Sequence, residues 1–98
     1  MIKHIVFWKI QAEGSPEKIE QVYQEFSKKT AYLQTIIPEI KEARVALNCS
    51  KSDFDLCIDS VFDSMDTLNT YIEHPEHLKV REYLNSVTCA KAVFDYEY

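Results

Sequence analysis

Residues 2–10 read IKHIVFWKI, a run of β-branched and aromatic side chains that predicts a strand. Side chains alternate along a strand, so His4, Val6 and Trp8 share one face while Ile5 and Phe7 share the other. A strand with one wet face should alternate between apolar and polar residues. This one is oily on both sides, so both faces need cover.

The segments that follow supply one cover. Gly14-Ser15-Pro16 ends the strand and starts a helix, with Ser15 as N-cap and Pro16 at the first helical position. Ile19, Val22, Tyr23, Phe26, Leu33 and Ile37 recur at helical intervals, and Pro38 stops the helix because the residue before a proline avoids helical geometry. Residues 41–48 form a second strand, with Ala43, Val45 and Leu47 on one face. CSKSD is a turn, and residues 54–62 form a third strand with Phe54, Leu56, Ile58 and Phe62 on one side. Asp63 is the expected cap of a helix that carries Met65, Leu68, Tyr71 and Ile72 inward. His74-Pro75 interrupts it, a short helix follows with Leu78, Leu84 and Val87 inward, and residues 88–97 close the chain as a strand. The order β-α-β-β-α(α)-β is that of an α+β, ferredoxin-like antiparallel sandwich, one domain over residues 1–98.

Helices cover one side of such a sheet only. The other side holds Ile5, Phe7, Cys57, Val61, Ala90, Ala92, Phe94 and Tyr96, with Cys89 and Val93 opposite the strand-four set. Left bare, that face would be a large apolar patch. The economical cover is a second copy, a homodimer with the two sheets face to face.

Composition bounds the rest. The 98 residues are 46% hydrophobic and 28% charged with one glycine, which fits a globular domain and offers no Gly-rich phosphate cradle. A net charge of −5 opposes general nucleic-acid binding, which needs a basic face. Residues 1–50 hold seven basic and six acidic side chains, whereas residues 51–98 hold four and ten. No segment approaches the ~20 apolar residues of a membrane span, and MIKHIVFWKI has no small-residue cleavage site. Cys49, Cys57 and Cys89 are an odd number without metal spacing; Cys57 and Cys89 lie in apolar runs that suit packed thiols in a reducing cytoplasm. No metal site or cofactor is expected.

YIEHPEHLKV, residues 71–80, gathers the groups able to move protons. Pro75 at the first position of the second short helix puts His77 at the third, where the helix dipole disfavours imidazolium and so favours a base. Tyr71 stands one turn before the break, placed to hydrogen-bond a carbonyl oxygen. His4 shares the face of Val6 and Trp8 and looks into the same space. Each group also has an ordinary role: a histidine inside a helix start caps or faces water, a tyrosine on an apolar face is core, and His74 suits a junction. The proline between His74 and His77 breaks the continuous helix that paired-histidine metal sites use.

IKHIVFWKI, IIPEIK, YIEHPEHLKV and VFDYEY together resemble the stress-responsive dimeric α/β-barrel family, in order and over essentially the whole chain. The resemblance implies a ferredoxin-like protomer whose sheets meet in a homodimeric barrel. Many members have no assigned activity. One plant branch is a cofactor-free polyketide cyclase, in which a tyrosine and a histidine of the Y-x-x-H-P-x-H segment carry an aldol condensation. Those positions correspond to Tyr71 and His77, and a strand-one histidine corresponds to His4. The implied substrate pocket is lined by His4, Val6, Trp8, Phe26, Leu56 and Ile58, with Trp8 bulky enough to shrink it; a pocket of roughly 300 Å³ or more would favour an enzyme or binder, and one filled by Trp8 and Phe26 a structural role. Plant-type members also point to a cation held by backbone carbonyls near Ile36–Ile40. The leading expectation is a homodimer with an apolar small-molecule pocket. The alternatives are a cyclase or related lyase using Tyr71 and His77 and, from fold analogy alone, a cofactor-independent monooxygenase.

Overall fold

The computed structural model describes residues 1–11 and 15–98. The expected strand-ending Gly14 lies outside the described residues. The elements are β1 (Ile2–Ile10), α1 (Pro16–Ile36), β2 (Glu42–Leu47), β3 (Leu56–Phe62), α2 (Met65–Glu73), α3 (Pro75–Val87) and β4 (Thr88–Glu97). The strands form one antiparallel sheet in the order β2-β3-β1-β4, the ferredoxin-like arrangement.

Local chemistry sets the boundaries. Ser15 caps α1 by accepting the Lys18 N–H, with Pro16 at the first position. Ile37, the residue before Pro38, leaves helical geometry at φ −116° and ψ 93°. The cap of α2 is Ser64 and not the expected Asp63. Ser64 and Thr67 exchange side-chain and backbone hydrogen bonds at 3.2 and 3.1 Å, a reciprocal box that Asp63 could not form from its position. Asp63 pairs instead with Lys41 at 3.2 Å.

β3 begins at Leu56, two residues later than the sequence pattern predicts. The Asp55 carboxylate accepts the Ile10 N–H at 2.8 Å while its own N–H bonds the Trp8 carbonyl, so a side chain takes over from the ladder at this end. Phe54 consequently falls on the opposite face, its ring 5.7 Å from that of Phe7.

The inner face of the sheet carries Ile2, Val6, Trp8 and Ile10 from β1 and Leu56, Ile58 and Phe62 from β3, all buried. Val22, Phe26 and Leu33 of α1, Leu68 and Tyr71 of α2, and Val80 and Leu84 of α3 close over them. Ala43, Val45 and Leu47 share one face as expected, opposite Ser60, Ile58 and Leu56, although Leu47 is exposed at the end of the edge strand. Cys89 was expected to pack as a small hydrophobe; it is exposed, beside the register shift where β4 meets Ile10.

The outer face is as the sequence pattern predicts. Register places Ile5 opposite Phe94, Phe7 opposite Ala92 and Cys57, and Lys3 opposite Tyr96 and Val61. Phe7, Phe94 and Tyr96 are 37%, 61% and 43% exposed, large side chains with no helix above them.

Candidate functional site

The helices leave a gap over the β1–β4 side of the sheet, and the gap is a cavity of about 190 Å³. Its floor is His4, Val6 and Trp8 with Ile58; Phe26, Tyr71 and His77 come from the helices. Leu56, expected among the lining residues, is instead core. It stands on the β2 side of Trp8, whereas the cavity lies against β1 and β4. Trp8 meets Phe26 edge-on, centroids 5.2 Å apart, and this pair limits the space as the bulk of the indole predicts. The volume falls below the 300–1,000 Å³ usual for drug-sized ligands.

The HPEH junction does two separate jobs. His74 ends α2 and caps α3, its Nδ1 accepting the Glu76 N–H at 3.1 Å. It is a structural residue, as its place before Pro75 predicts. The break turns His77 inward, where its Nδ1 lies 3.0 Å from the Ile72 carbonyl oxygen. A carbonyl can only accept, so Nδ1 carries the hydrogen and Nε2 keeps its lone pair. Burial pushes the His77 pKa down to about 4, with the charges of Arg81, His4 and His74 acting in the same direction and the Ile72 hydrogen bond opposing. The imidazole is neutral at pH 7 as expected, with desolvation the leading cause.

Tyr71 is 5% exposed, and its ring lies 4.1 Å from that of His77. Burial alone raises its pKa far above the ordinary phenol value, so it stays a hydrogen-bond donor at any physiological pH. His4 faces both Tyr71 and Phe62 edge-on at 6.4 and 6.3 Å. Its Nδ1 is hydrogen-bonded to Asp95, the residue directly across the β1–β4 ladder. This pairing orients the imidazole of a buried histidine.

Asp95, Arg81, Lys91 and Val93 also line the cavity, and none of them stands out in the sequence. Arg81 follows His77 by one helical turn, a usable signal. The β4 residues depend on a register across 91 positions of chain between His4 and Asp95, which no local pattern encodes. In the Ile36–Ile40 segment the Ile37 carbonyl accepts the Ile40 N–H at 3.2 Å. Among the described residues no group of three or more His, Cys, Asp or Glu side chains is placed to hold a metal, and no helix is long and apolar enough to cross a membrane.

A family model described as the stress responsive A/B barrel domain matches residues 2–98. No curated protein matches the chain. Among solved structures, a dimeric protein of unknown function and ferredoxin-like fold from Bacteroides fragilis is 28% identical, with a TM-score of 0.88 over 99% of this chain and 95% of that one. A protein of Arabidopsis thaliana is 25% identical, with a TM-score of 0.81 over 100% and 95% of the two chains. A hydroxynitrile lyase from Passiflora edulis is 22% identical with a TM-score of 0.77, over 97% of this chain and 90% of that one.

Proposed function

The chain belongs to the stress-responsive A/B barrel domain family, and from that premise we propose that its cavity binds a small, largely apolar carbonyl compound. The supporting observation is the meeting of Tyr71 and His77 at 4.1 Å on an apolar cavity, one a permanent donor and the other a neutral acceptor. The Tyr71 hydroxyl donates to the carbonyl oxygen. The His77 Nε2 accepts from an adjacent acidic hydrogen. Val6, Trp8, Phe26 and Ile58 hold the apolar remainder.

Size chooses among chemistries. About 190 Å³ of cavity, open at its mouth, suits a short-chain substrate. This favours a small lyase- or aldol-type substrate over the polyketide that the cyclase branch uses. The Passiflora lyase supports the fold alone; the catalytic reading rests on the fixed His77 tautomer. A base with a pKa near 4 takes a proton readily only from an acidic donor. The suitable substrate therefore carries a C–H between two electron-withdrawing groups or an acidic hydroxyl.

Trp8 is the one tryptophan of the chain and lines the cavity, so its fluorescence reports occupancy. Titration with 4-methylpentan-2-one should quench it saturably, and Tyr71→Phe should weaken binding about ten-fold, the worth of one lost hydrogen bond at a buried site. Pentane-2,4-dione should exchange its central hydrogens in deuterated water faster than in buffer alone, without oxygen uptake, and His77→Ala should remove the excess. Absence of saturable quenching sinks the binding reading. Binding without faster exchange sinks the catalytic one.

The same reading has the protein act as a homodimer through the sheet face away from its helices, which carries Phe7, Phe94 and Tyr96. The cavity lies on the opposite face, between the sheet and the helices. The free thiols Cys49, Cys57 and Cys89 suit a cytoplasmic setting.

A further inference from the structure

Two cations from separate elements line the cavity. Arg81 comes from α3 and Lys91 from β4, and both line the opening. Among the described residues neither lies within ion-pair distance of a carboxylate. Residues 51–98 contain four basic side chains against ten acidic ones. Half of the basic groups in the acid-rich part of the chain are therefore gathered at one opening. One carboxylate, that of Asp95, lines the same cavity and is hydrogen-bonded to His4.

A lone surface lysine is ordinarily just solvated. Two cations brought together from different elements, over low-dielectric walls, focus their field into the cleft. Arginine also presents a planar fork of donors that matches a carboxylate. The charge of Arg81 is felt inside, since it contributes to the lowered proton affinity of His77.

We propose that the ligand of this cavity is an organic acid: a small apolar carbonyl compound whose carboxylate is held at the mouth by Arg81 and Lys91. The inference rests on the carbonyl reading above and narrows its substrate class.

Two probes separate the inference from the reading beneath it. 4-Methyl-2-oxopentanoate and 4-methylpentan-2-one share a skeleton and a carbonyl; a carboxylate in the first replaces a methyl in the second. By Trp8 fluorescence at low ionic strength the acid should bind about ten-fold or more tightly than the ketone, as a charge-assisted contact implies. Its advantage should shrink in salt and vanish in the Arg81→Gln/Lys91→Gln double variant, while Arg81→Lys keeps part of it. Both side chains are exposed, and circular dichroism checks that the variants fold. Equal binding of the two probes, or an advantage that survives the double variant, overturns the carboxylate site and leaves the carbonyl reading standing. If neither probe quenches Trp8, both fall.

Discussion

His77 is the side chain on which the chemistry turns, and its environment fixes how it responds to acid. In the unfolded chain it protonates around pH 6.5, whereas in the fold burial lowers this to about 4. Between those values the unfolded state binds more protons, so His77 withdraws stability as pH falls. Its neutral form costs nothing above pH 6.5, and the loss is complete below pH 4. The shift corresponds to about 2 kcal/mol once solvent at this partly buried ring is allowed for. Urea denaturation should show wild type losing more stability between pH 7 and 4.5 than His77→Gln, and the His77 ring resonance should stay unmoved down to about pH 5.5. A midpoint near 6.5 would show that the ring is not desolvated. Tyr71, His77 and His4 were legible because their residue types carry chemistry and the proline between the two halves of α2–α3 marks the turn. Asp95 and Lys91 were not, since their place depends on how β4 registers against β1.

Most of the helices and strands were legible for reasons that act over a few residues. Ser15-Pro16 and His74-Pro75 punctuate helices wherever they occur, and β-branched alternation marks β1. The misses fall where tertiary contacts outweigh local preference. Phe54 has the right parity for the inner face, but Asp55 reaches to the Ile10 N–H and ends the ladder first, turning Phe54 onto Phe7. Asp63 and Ser64 are both good caps, and the presence of Thr67 three residues after Ser64 decides between them. The α2–α3 junction offers a direct check, because one imidazole satisfies an orphan donor of α3 while the next faces the cavity. Removing that cap in His74→Ala should cost about 1 kcal/mol by urea unfolding, and His74→Asn, which also caps, should cost a few tenths. The looser start of α3 should also weaken 4-methylpentan-2-one binding in the alanine variant, although His74 does not line the cavity. Unchanged stability in His74→Ala would mean that Pro75 alone makes the junction.

The molecule as a whole answers the question posed by IKHIVFWKI, whose two faces find different neighbours. The helices bury His4, Val6 and Trp8, while Ile5 and Phe7 join Ala92, Phe94 and Tyr96 on a face that one copy of the chain leaves open. Its charges are grouped toward β2, where Lys3 pairs with Asp59 at 2.9 Å and Arg44 stands opposite Asp59. An apolar half and a charged half on one sheet favour a single two-fold register, in which each half meets its own kind of complement. Burying Phe94 and Phe7 in such an interface contributes about 1.5–3 kcal/mol for each side chain, and the two-fold counts it twice. Phe94→Asp places two desolvated carboxylates in the interface with no partner, a cost that exceeds what those contacts supply. Size-exclusion chromatography with light scattering should give a dimer for wild type at 10 µM-scale concentration, about the range where an interface of ordinary size holds, and a monomer for Phe94→Asp. The variant should still bind 4-methylpentan-2-one, because the cavity lies on the opposite face of the sheet. A monomeric wild type would leave the outer aromatic row without a purpose and remove the homodimer, whereas a dimeric Phe94→Asp would move the interface elsewhere on the surface.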